Sequence, residues 1–226
     1  MWAEDMSAAY DEHLVPAVFR PYADDLAARV AHLRPQLVLE LAAGTGVLTR
    51  AVIESVPGVR VTATDLNVAM VDVGAARVPT ATWRQADAMQ LPFEDESFDL
   101  VACQFGVMFF PDRPAAYGEV ARVLAPGGHF LFNSWGPLTT HDVETTVIAA
   151  LAKFFPEDPP TFLARVPHGY HDATRIAADL EAVFEAIGRE WNRLDILVHG
   201  TTTADNTMIE MNGAATGLLV TEGHRD

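Results

Sequence analysis

The chain has 226 residues, half of them hydrophobic and a fifth charged, which is typical of one globular domain with a substantial core. Its formal net charge of −16 repels phosphate backbones, so nucleic acid is not expected as a partner. No apolar run approaches the ~20 residues of a membrane span, and the first residues lack the pattern of a secretory signal. The single cysteine, Cys103, excludes an internal disulfide. We therefore expect a cytoplasmic protein.

Helix and strand patterns alternate along the first 135 residues. Apolar residues at helical spacing predict a leading amphipathic helix over 15–33. Short apolar runs predict five buried strands, at 36–42, 58–65, 81–87, 98–105 and 129–135. Of the intervening helices, one is capped by Asn67 and another ends at Pro126, Gly127 and Gly128. This alternation predicts an α/β fold with right-handed crossovers and a doubly wound, mainly parallel sheet.

The rest of the chain departs from this alternation. Residues 137–190 are mostly helical in pattern, and Pro159 and Pro160 interrupt them. Such an insertion beside the strand ends is typical of a lid. Residues 193–200 and 217–221 are apolar enough to form closing strands.

A glycine-rich turn in the segment VLELAAGTGVLTR (38–50) joins the first strand to the next helix. Open parallel sheets bind ligands at the carboxyl ends of their strands. Gly44 and Gly46 allow a tight turn and a close approach of the backbone to a ligand, although two glycines also occur in turns that only pack. A dinucleotide fingerprint would have a third glycine where this chain has Thr49.

Three acidic residues stand at or near the ends of the first three predicted strands. Glu40 lies in an otherwise apolar strand, where a carboxylate needs a cationic or hydrogen-bonding partner and would repel a pyrophosphate. Asp65 is placed to accept two ribose hydroxyls, and Asp87 to accept a hydrogen bond from an adenine amino group. This pattern favours a cationic adenosine over a phosphorylated nucleotide.

Four motifs in order, VLELAAGTG, VTATDLNVAM, RQADAMQLPFEDESFDLVACQF and EVARVLAPGGHFLF, resemble class I S-adenosylmethionine-dependent methyltransferases. The resemblance is strongest to the small-molecule enzymes related to ubiquinone and menaquinone biosynthesis, and it spans residues 10–135. It implies a Rossmann-like fold with S-adenosylmethionine as cofactor. The implied reaction is transfer of a methyl group to a small-molecule acceptor by in-line displacement.

The resemblance also implies a cofactor site built from the loops that follow four strands. From the methionine end through the ribose and adenine to the reacting methyl group, its residues are Glu40, Ala42, Gly44, Gly46, Asp65, Leu66, Met70, Asp87, Ala88, Met89, Gln104 and Phe105. Tyr10 and Phe19 in the leading segment would close the pocket.

Two features depart from the family pattern. Ala42 stands where the family usually has glycine, and because alanine is small we expect cofactor binding to tolerate it. The segment 179–207 looks like a helix and strand of short-chain dehydrogenases rather than the usual closing strand pair.

We therefore interpret the chain as a single methyltransferase domain, 1–226. Its parts are N-terminal cap helices, a cofactor-binding core, a helical lid and atypical closing strands, at 1–34, 36–135, 137–190 and 191–226.

The implied chemistry requires little of the protein beyond alignment and exclusion of water, because a sulfonium methyl group is already activated. No metal and no covalent nucleophile are expected. A hydroxyl acceptor would benefit from a base, for which the lid offers His141, His168 and Tyr170, whereas a carbon or amine acceptor would need none. His168 and His171 stand close in sequence but lack a cysteine or a third histidine for a metal site.

Two alternatives remain open at this point. The tail suggests a nicotinamide-dependent oxidoreductase, but short-chain dehydrogenases have Tyr four residues before Lys, and Lys153 has Ala149 there. The other alternative is a catalytically impaired protein that binds S-adenosylmethionine without turnover. The sequence does not fix the acceptor, and it is compatible with a homodimer.

Overall fold

A seven-stranded sheet forms the centre of the protein. The computed structural model describes Val15 and residues 18–187, 193–201 and 204–212. The strands are β1 (Leu37–Glu40), β2 (Arg60–Asp65), β3 (Thr82–Gln85), β4 (Phe98–Gln104), β5 (Leu124–Trp135), β6 (Arg193–Thr201) and β7 (Ala204–Asn212). The α-helices are α1 (Arg20–Leu33), α2 (Val47–Ser55), α3 (Val68–Arg77), α4 (Arg113–Val123), α5 (Asp142–Phe154), α6 (Phe162–Arg165) and α7 (Ala173–Ile187).

The order of the strands across the sheet is β3-β2-β1-β4-β5-β7-β6. Neighbouring strands among β1 to β5 pair in parallel, whereas β7 pairs antiparallel with β5 and with β6. The order reverses at β1, between β2 and β4, which is where sheets of this class bind ligands. The predicted doubly wound, mainly parallel α/β fold is confirmed.

Alternate side chains of the strands pack against helices on opposite faces of the sheet. Val38 and Leu100 face a layer formed by α1 and α2, which includes the fully buried Leu26 of α1. Phe130 and Phe132 of β5 face the other layer, formed by α4 and α7. A parallel sheet needs both faces covered, and this arrangement fixes the edge at which the strands end.

Two helix boundaries differ from the sequence prediction, and strand β5 begins at Leu124 rather than at residue 129. Helix α4 ends at Val123 rather than at the Pro126–Gly128 turn, because Leu124 already pairs with Phe98 in the sheet. Regular α-helix begins at Arg20 rather than at Val15, and Val15, Val18 and Phe19 precede it in a wider π-helical turn. Pro21 is well suited to this first turn because its nitrogen has no proton to donate.

Three helices follow β5 in the region predicted to be a lid. Helix α7 packs on α4, where Ile176 and Leu180 are fully buried. Segments 193–201 and 204–212 form the antiparallel pair at the end of the sheet, and the predicted strand at 217–221 lies outside the described residues. Within the described part of the chain, no helix combines the length and apolarity needed to cross a lipid bilayer.

Candidate functional site

Glu40 is the last residue of β1, and it is 2% exposed. The hydroxyl of Thr49, at the start of α2, donates a hydrogen bond to Glu40 Oε2. Burial is the largest effect on the pKa of Glu40, which rises from 4.5 to about 8. The hydrogen bond from Thr49 partly offsets this rise, and the nearby Asp65 adds to it. At neutral pH the Glu40 carboxyl is therefore mostly protonated, and a bound cation would favour its ionised form.

The loop after β1 folds back over the ends of the neighbouring strands. The backbone N–H of Leu41 donates to Ala102 O of β4, and that of Ala43 donates to Thr64 O of β2. Ala42 has a φ of +51°, in the left-handed region that favours glycine, which explains the usual glycine of related sequences at this position. The alanine is accommodated at the cost of local strain.

Asp65, at the end of β2, is held by two backbone amides. Its Oδ2 accepts from Gly44 N at 2.9 Å, and its Oδ1 accepts from Asn67 N at 2.8 Å. Each carboxylate oxygen retains a second lone pair, so the group can still accept a pair of hydroxyls. Beside it, the side chain of Leu66 is 66% exposed and Met70 in α3 is half-buried.

Asp87 lies in the loop after β3, close to the end of β2. Ala86 N donates to Asp65 O at 3.0 Å, which ties this loop to β2, and Asp87 Oδ1 accepts from Met89 N at 2.9 Å. Ala88 and Met89 are half-buried beside it. The structure thus brings the ends of β1, β2 and β3, with Glu40, Asp65 and Asp87, to one edge of the sheet.

The loop that carries Asp87 is anchored at its far end by Arg122 of α4. The Arg122 guanidinium donates to Leu91 O at 2.9 Å and to Phe93 O at 2.8 Å, and it forms ion pairs with Asp95 and Glu119. The hydrogen bond and charge of Arg122 hold the pKa of Glu119 below its ordinary value. Arg122 therefore restricts the path of the loop between β3 and β4.

Gln104 and Phe105 follow β4 and border the same edge. Gln104 Nε2 donates to Phe19 O at 3.0 Å, whereas its buried Oε1 accepts no hydrogen bond within the described part of the chain. Phe105 has a φ of +51°, and its N–H donates to Asn133 Oδ1 at 2.9 Å. A β-carbon on Gly106 would lie 2.7 Å from that of Ala42, so the loops after β1 and β4 touch here.

Three other aromatic rings gather next to Phe105. Phe105 stacks on Trp135 with ring centroids 3.8 Å apart, and Phe19 and Tyr22 pack edge-on against both rings. We call Phe19, Tyr22, Phe105 and Trp135 the aromatic cluster. It forms an apolar wall beside the loop that follows β4.

The lid residues predicted to supply a base occupy two different environments. His141 and His168 are 1% and 4% exposed, and both rings pack against Trp135. Tyr170 lies further away in the core, where its hydroxyl accepts from Tyr117 and donates to Asp179. Burial raises the pKa of Tyr170, which disfavours its ionised form.

The sequence prediction did not include several residues at this edge. Thr45 lies between the two glycines, and its buried hydroxyl has no hydrogen-bond partner among the described residues. Its position between Gly44 and Gly46 is the sequence feature that could have identified it as a site residue. Tyr22 and Trp135 have no such signal, because only the folded chain brings them to Phe105. Tyr10 lies outside the described residues.

Comparison with known proteins agrees with this geometry. Residues 39–132 match the family described as Methyltransferase domain. A structure from Methanococcus maripaludis, assigned as an S-adenosyl-L-methionine-dependent methyltransferase, superposes with a TM-score of 0.65 at 16% identity, covering 96% of this chain and 94% of that one. Residues 39–132 are thus similar to a methyltransferase domain, and the chain has the Rossmann-like fold seen in an S-adenosylmethionine-dependent methyltransferase.

Curated proteins that resemble this chain include methyltransferases with different acceptors. Malonyl-[acyl-carrier protein] O-methyltransferase of Halorhodospira halophila is 37% identical over 142 residues, 59% of this chain and 46% of that protein. Demethylmenaquinone methyltransferase of Thermus thermophilus is 38% identical over 123 residues, 53% of this chain and 54% of that protein. The chain spans about half the length of these relatives. None of these similarities supports the nicotinamide-dependent alternative.

Glu40→Gln should stabilise the free protein at pH 8 but hardly at pH 5. Between pH 4.5 and about 8, the unfolded chain loses the Glu40 proton while the folded chain keeps it, so wild-type stability falls as the pH rises. The free energy of unfolding falls by up to about 1.4 kcal/mol per pH unit. Glutamine does not ionise, so Glu40→Gln removes this pH dependence. Urea unfolding at pH 5, 6.5 and 8 measures the difference, with the exposed Glu181→Gln as control. Parallel stability curves for wild type and Glu40→Gln would contradict the buried, protonated carboxyl.

Ala42→Gly should raise the melting temperature. Glycine relieves a left-handed conformation that costs alanine about 1–2 kcal/mol, but it loses up to ~1 kcal/mol through the entropy of the unfolded chain. The net gain of about 0.5–1 kcal/mol corresponds to a rise of about 1–4 °C. Differential scanning calorimetry measures it, and Ala43→Gly, at a buried neighbour without positive φ, should destabilise instead. Equal losses in both variants would refute the strain at Ala42.

Proposed function

We propose that this protein transfers a methyl group from S-adenosylmethionine to a small-molecule acceptor. The observation that carries the proposal is the convergence of Glu40, Asp65 and Asp87 at the adjacent carboxyl ends of β1, β2 and β3. These groups form an edge rich in hydrogen-bond acceptors with one ionisable carboxyl buried behind it. Such an edge suits a nucleoside that carries positive charge, and it is unfavourable for a pyrophosphate.

Each part of the edge has a distinct role in binding this cofactor. Asp65, held in place by Gly44 N and Asn67 N, accepts the two ribose hydroxyls. Asp87 and the backbone beside it form hydrogen bonds to the adenine, while Leu66 and Met70 pack against the face of the adenine ring. Thr45 Oγ1 and Gln104 Oε1 are buried polar atoms without a hydrogen-bond partner among the described residues, and they are the proposed contacts of the methionine end, which carries both hydrogen-bond donors and acceptors.

The ionisation state of Glu40 depends on the charge of the molecule that binds beside it. A cation that arrives beside Glu40 favours loss of the carboxyl proton, since the attraction offsets the cost of a buried negative charge. The Thr49 hydroxyl then stabilises the carboxylate through its hydrogen bond. Glu40 thus favours the charged sulfonium form of the cofactor over its neutral, demethylated product, which helps release after transfer.

The chain's contribution to the reaction is alignment and exclusion of water. The cofactor supplies an activated methyl group when bound. Phe105 and Trp135 form a flat apolar wall, and Asn133 holds Phe105 in its strained conformation at the end of β4. A wall of this kind orients an acceptor in line with the methyl group and keeps water from competing.

The acceptor itself is proposed only as a class. The names of similar proteins include a malonyl-[acyl-carrier protein] O-methyltransferase, a demethylmenaquinone methyltransferase and a ubiquinone/menaquinone biosynthesis C-methyltransferase, so both oxygen and carbon acceptors occur among them. Of the three predicted bases, Tyr170 has its hydroxyl engaged by Tyr117 and Asp179, whereas His141 and His168 lie beside Trp135. A hydroxyl acceptor at the aromatic cluster would therefore lie near the two histidines rather than near Tyr170.

We also propose a reducing compartment, the cytoplasm, as the site of action. Cys103 lies buried in β4, and burial raises the pKa of its thiol, so it remains an unreactive packing residue. The net charge of −16 favours a small, uncharged or cationic acceptor over nucleic acid.

Asp65→Ala should weaken binding of S-adenosylmethionine about a hundredfold or more in isothermal titration. It removes two hydrogen bonds to a charged acceptor, each contributing about 1.5–3 kcal/mol, and tenfold in affinity corresponds to about 1.4 kcal/mol. Asp65→Asn keeps one acceptor oxygen and should lose less. Asp72→Ala, at an exposed position of α3, is the matched control and should bind as wild type does.

Two outcomes would overturn the proposed cofactor site: no binding by the wild-type protein, or undiminished binding by Asp65→Ala. Turnover is tested separately, by following formation of the demethylated product with a panel of hydroxyl, amine and activated-carbon acceptors. Cofactor binding without product for any acceptor class would favour the catalytically impaired alternative.

A further inference from the structure

His141, Glu144 and His168 form a cluster of metal-ligating side chains on the lid, outside the cofactor site. A ring nitrogen from each histidine and a carboxylate oxygen of Glu144 all lie within 4.8 Å of one another. The two imidazole rings are 4.3 Å apart between centroids, and Glu144 Oε2 is 4.0 Å from His141 Nδ1. We propose that these three residues bind one divalent transition-metal ion, for which Zn²⁺ is the best chemical match.

The hydrogen bonding of His168 prepares one of its nitrogens for a metal. Its Nδ1 lies 2.9 Å from Gly136 O, and since a carbonyl oxygen only accepts, Nδ1 must carry the proton. Nε2 of the neutral ring then has a lone pair. Metal-bound histidines usually donate their other N–H to a carbonyl or carboxylate in this way, which fixes the orientation of the ring.

The backbone arrangement brings the other two ligands together. His141 immediately precedes α5, and Glu144 lies in the first turn of that helix, so their side chains project from neighbouring positions. The Glu144 side chain is 37% exposed, so a change of its rotamer does not require repacking of the core. Ligand atoms of a tetrahedral zinc site are about 3.3–3.5 Å apart, so the cluster must close by roughly an ångström.

The composition of the cluster indicates the type of ion. Two imidazoles and one carboxylate are ligands for zinc and neighbouring transition metals, whereas Mg²⁺ and Ca²⁺ take oxygen ligands. Three protein ligands leave a position for water or for an oxygen of a bound molecule, as in catalytic rather than structural zinc sites. Apolar side chains would fill this space against Trp135 without the desolvation cost of two imidazoles.

The location gives the ion a use in the proposed reaction. Trp135 contacts both histidines on one side and stacks on Phe105 on another, so the cluster lies one aromatic ring from the proposed methyl-transfer position. An ion there would bind an acceptor through oxygen and lower the pKa of a bound hydroxyl. This role rests on the proposed function, whereas zinc binding itself does not.

Zinc binding is tested on the full chain without a polyhistidine tag and without cofactor or acceptor. Competition with a chromogenic chelator should give one saturable site per chain, and thermal unfolding should shift upward with zinc. Glu144→Gln and His168→Gln should each weaken affinity at least tenfold. His171→Gln is the matched control, because His171 Nδ1 is engaged by His168 O at 2.7 Å and His171 is not part of the cluster.

Because Glu144 is partly exposed, Glu144→Gln should fold even if the substitution of buried His168 prevents folding. Glu144→Gln then tests zinc binding by itself. A crystal soaked in zinc should show an anomalous difference peak between the three side chains. Absence of a saturable site, equal affinity in wild type and Glu144→Gln, or a peak elsewhere would overturn the proposal. Since no methyl transfer is measured, these outcomes are independent of whether the protein proves to be a methyltransferase.

Discussion

A carboxyl group buried at the end of β1 is the constraint on which the site depends. Glu40 has almost no contact with water, and its hydrogen-bond partner is the hydroxyl of Thr49 in the next helix. Thr49 stands where a dinucleotide site would have glycine, so the same residue that departs from that fingerprint satisfies the acid. The pKa of about 8 makes Glu40 a group whose charge depends on what binds beside it.

The surrounding loops can approach Glu40 because small residues occupy their points of contact. The loop after β1 touches the loop after β4 where Ala42 faces Gly106, and a side chain at Gly106 would collide with Ala42 and Cys103. Ala42 and Phe105 both adopt positive φ there. Strain at the ends of two adjacent strands is the cost of bringing these two loops together.

The sequence predicts those parts of the structure that follow from local pattern. Apolar runs separated by helices determine the parallel sheet, and once the strands are parallel, Glu40, Asp65 and Asp87 must share an edge. The end of α4 was misplaced because the pairing of Leu124 with Phe98 is a tertiary contact that overrides the Pro-Gly-Gly stop signal. The grouping of Trp135 with His141 and His168 is likewise set only by packing of the lid, and no spacing in the sequence encodes it.

The proposed site for an adenosyl sulfonium compound depends on three strand-end acids. A crystal structure with S-adenosylhomocysteine bound tests it most directly. Both ribose hydroxyls should lie on Asp65, the adenine should lie beside Asp87 and Met89, and the sulfur should point toward Phe105. An adenosyl group bound elsewhere, or one at this edge whose ribose makes no contact with Asp65, would contradict it.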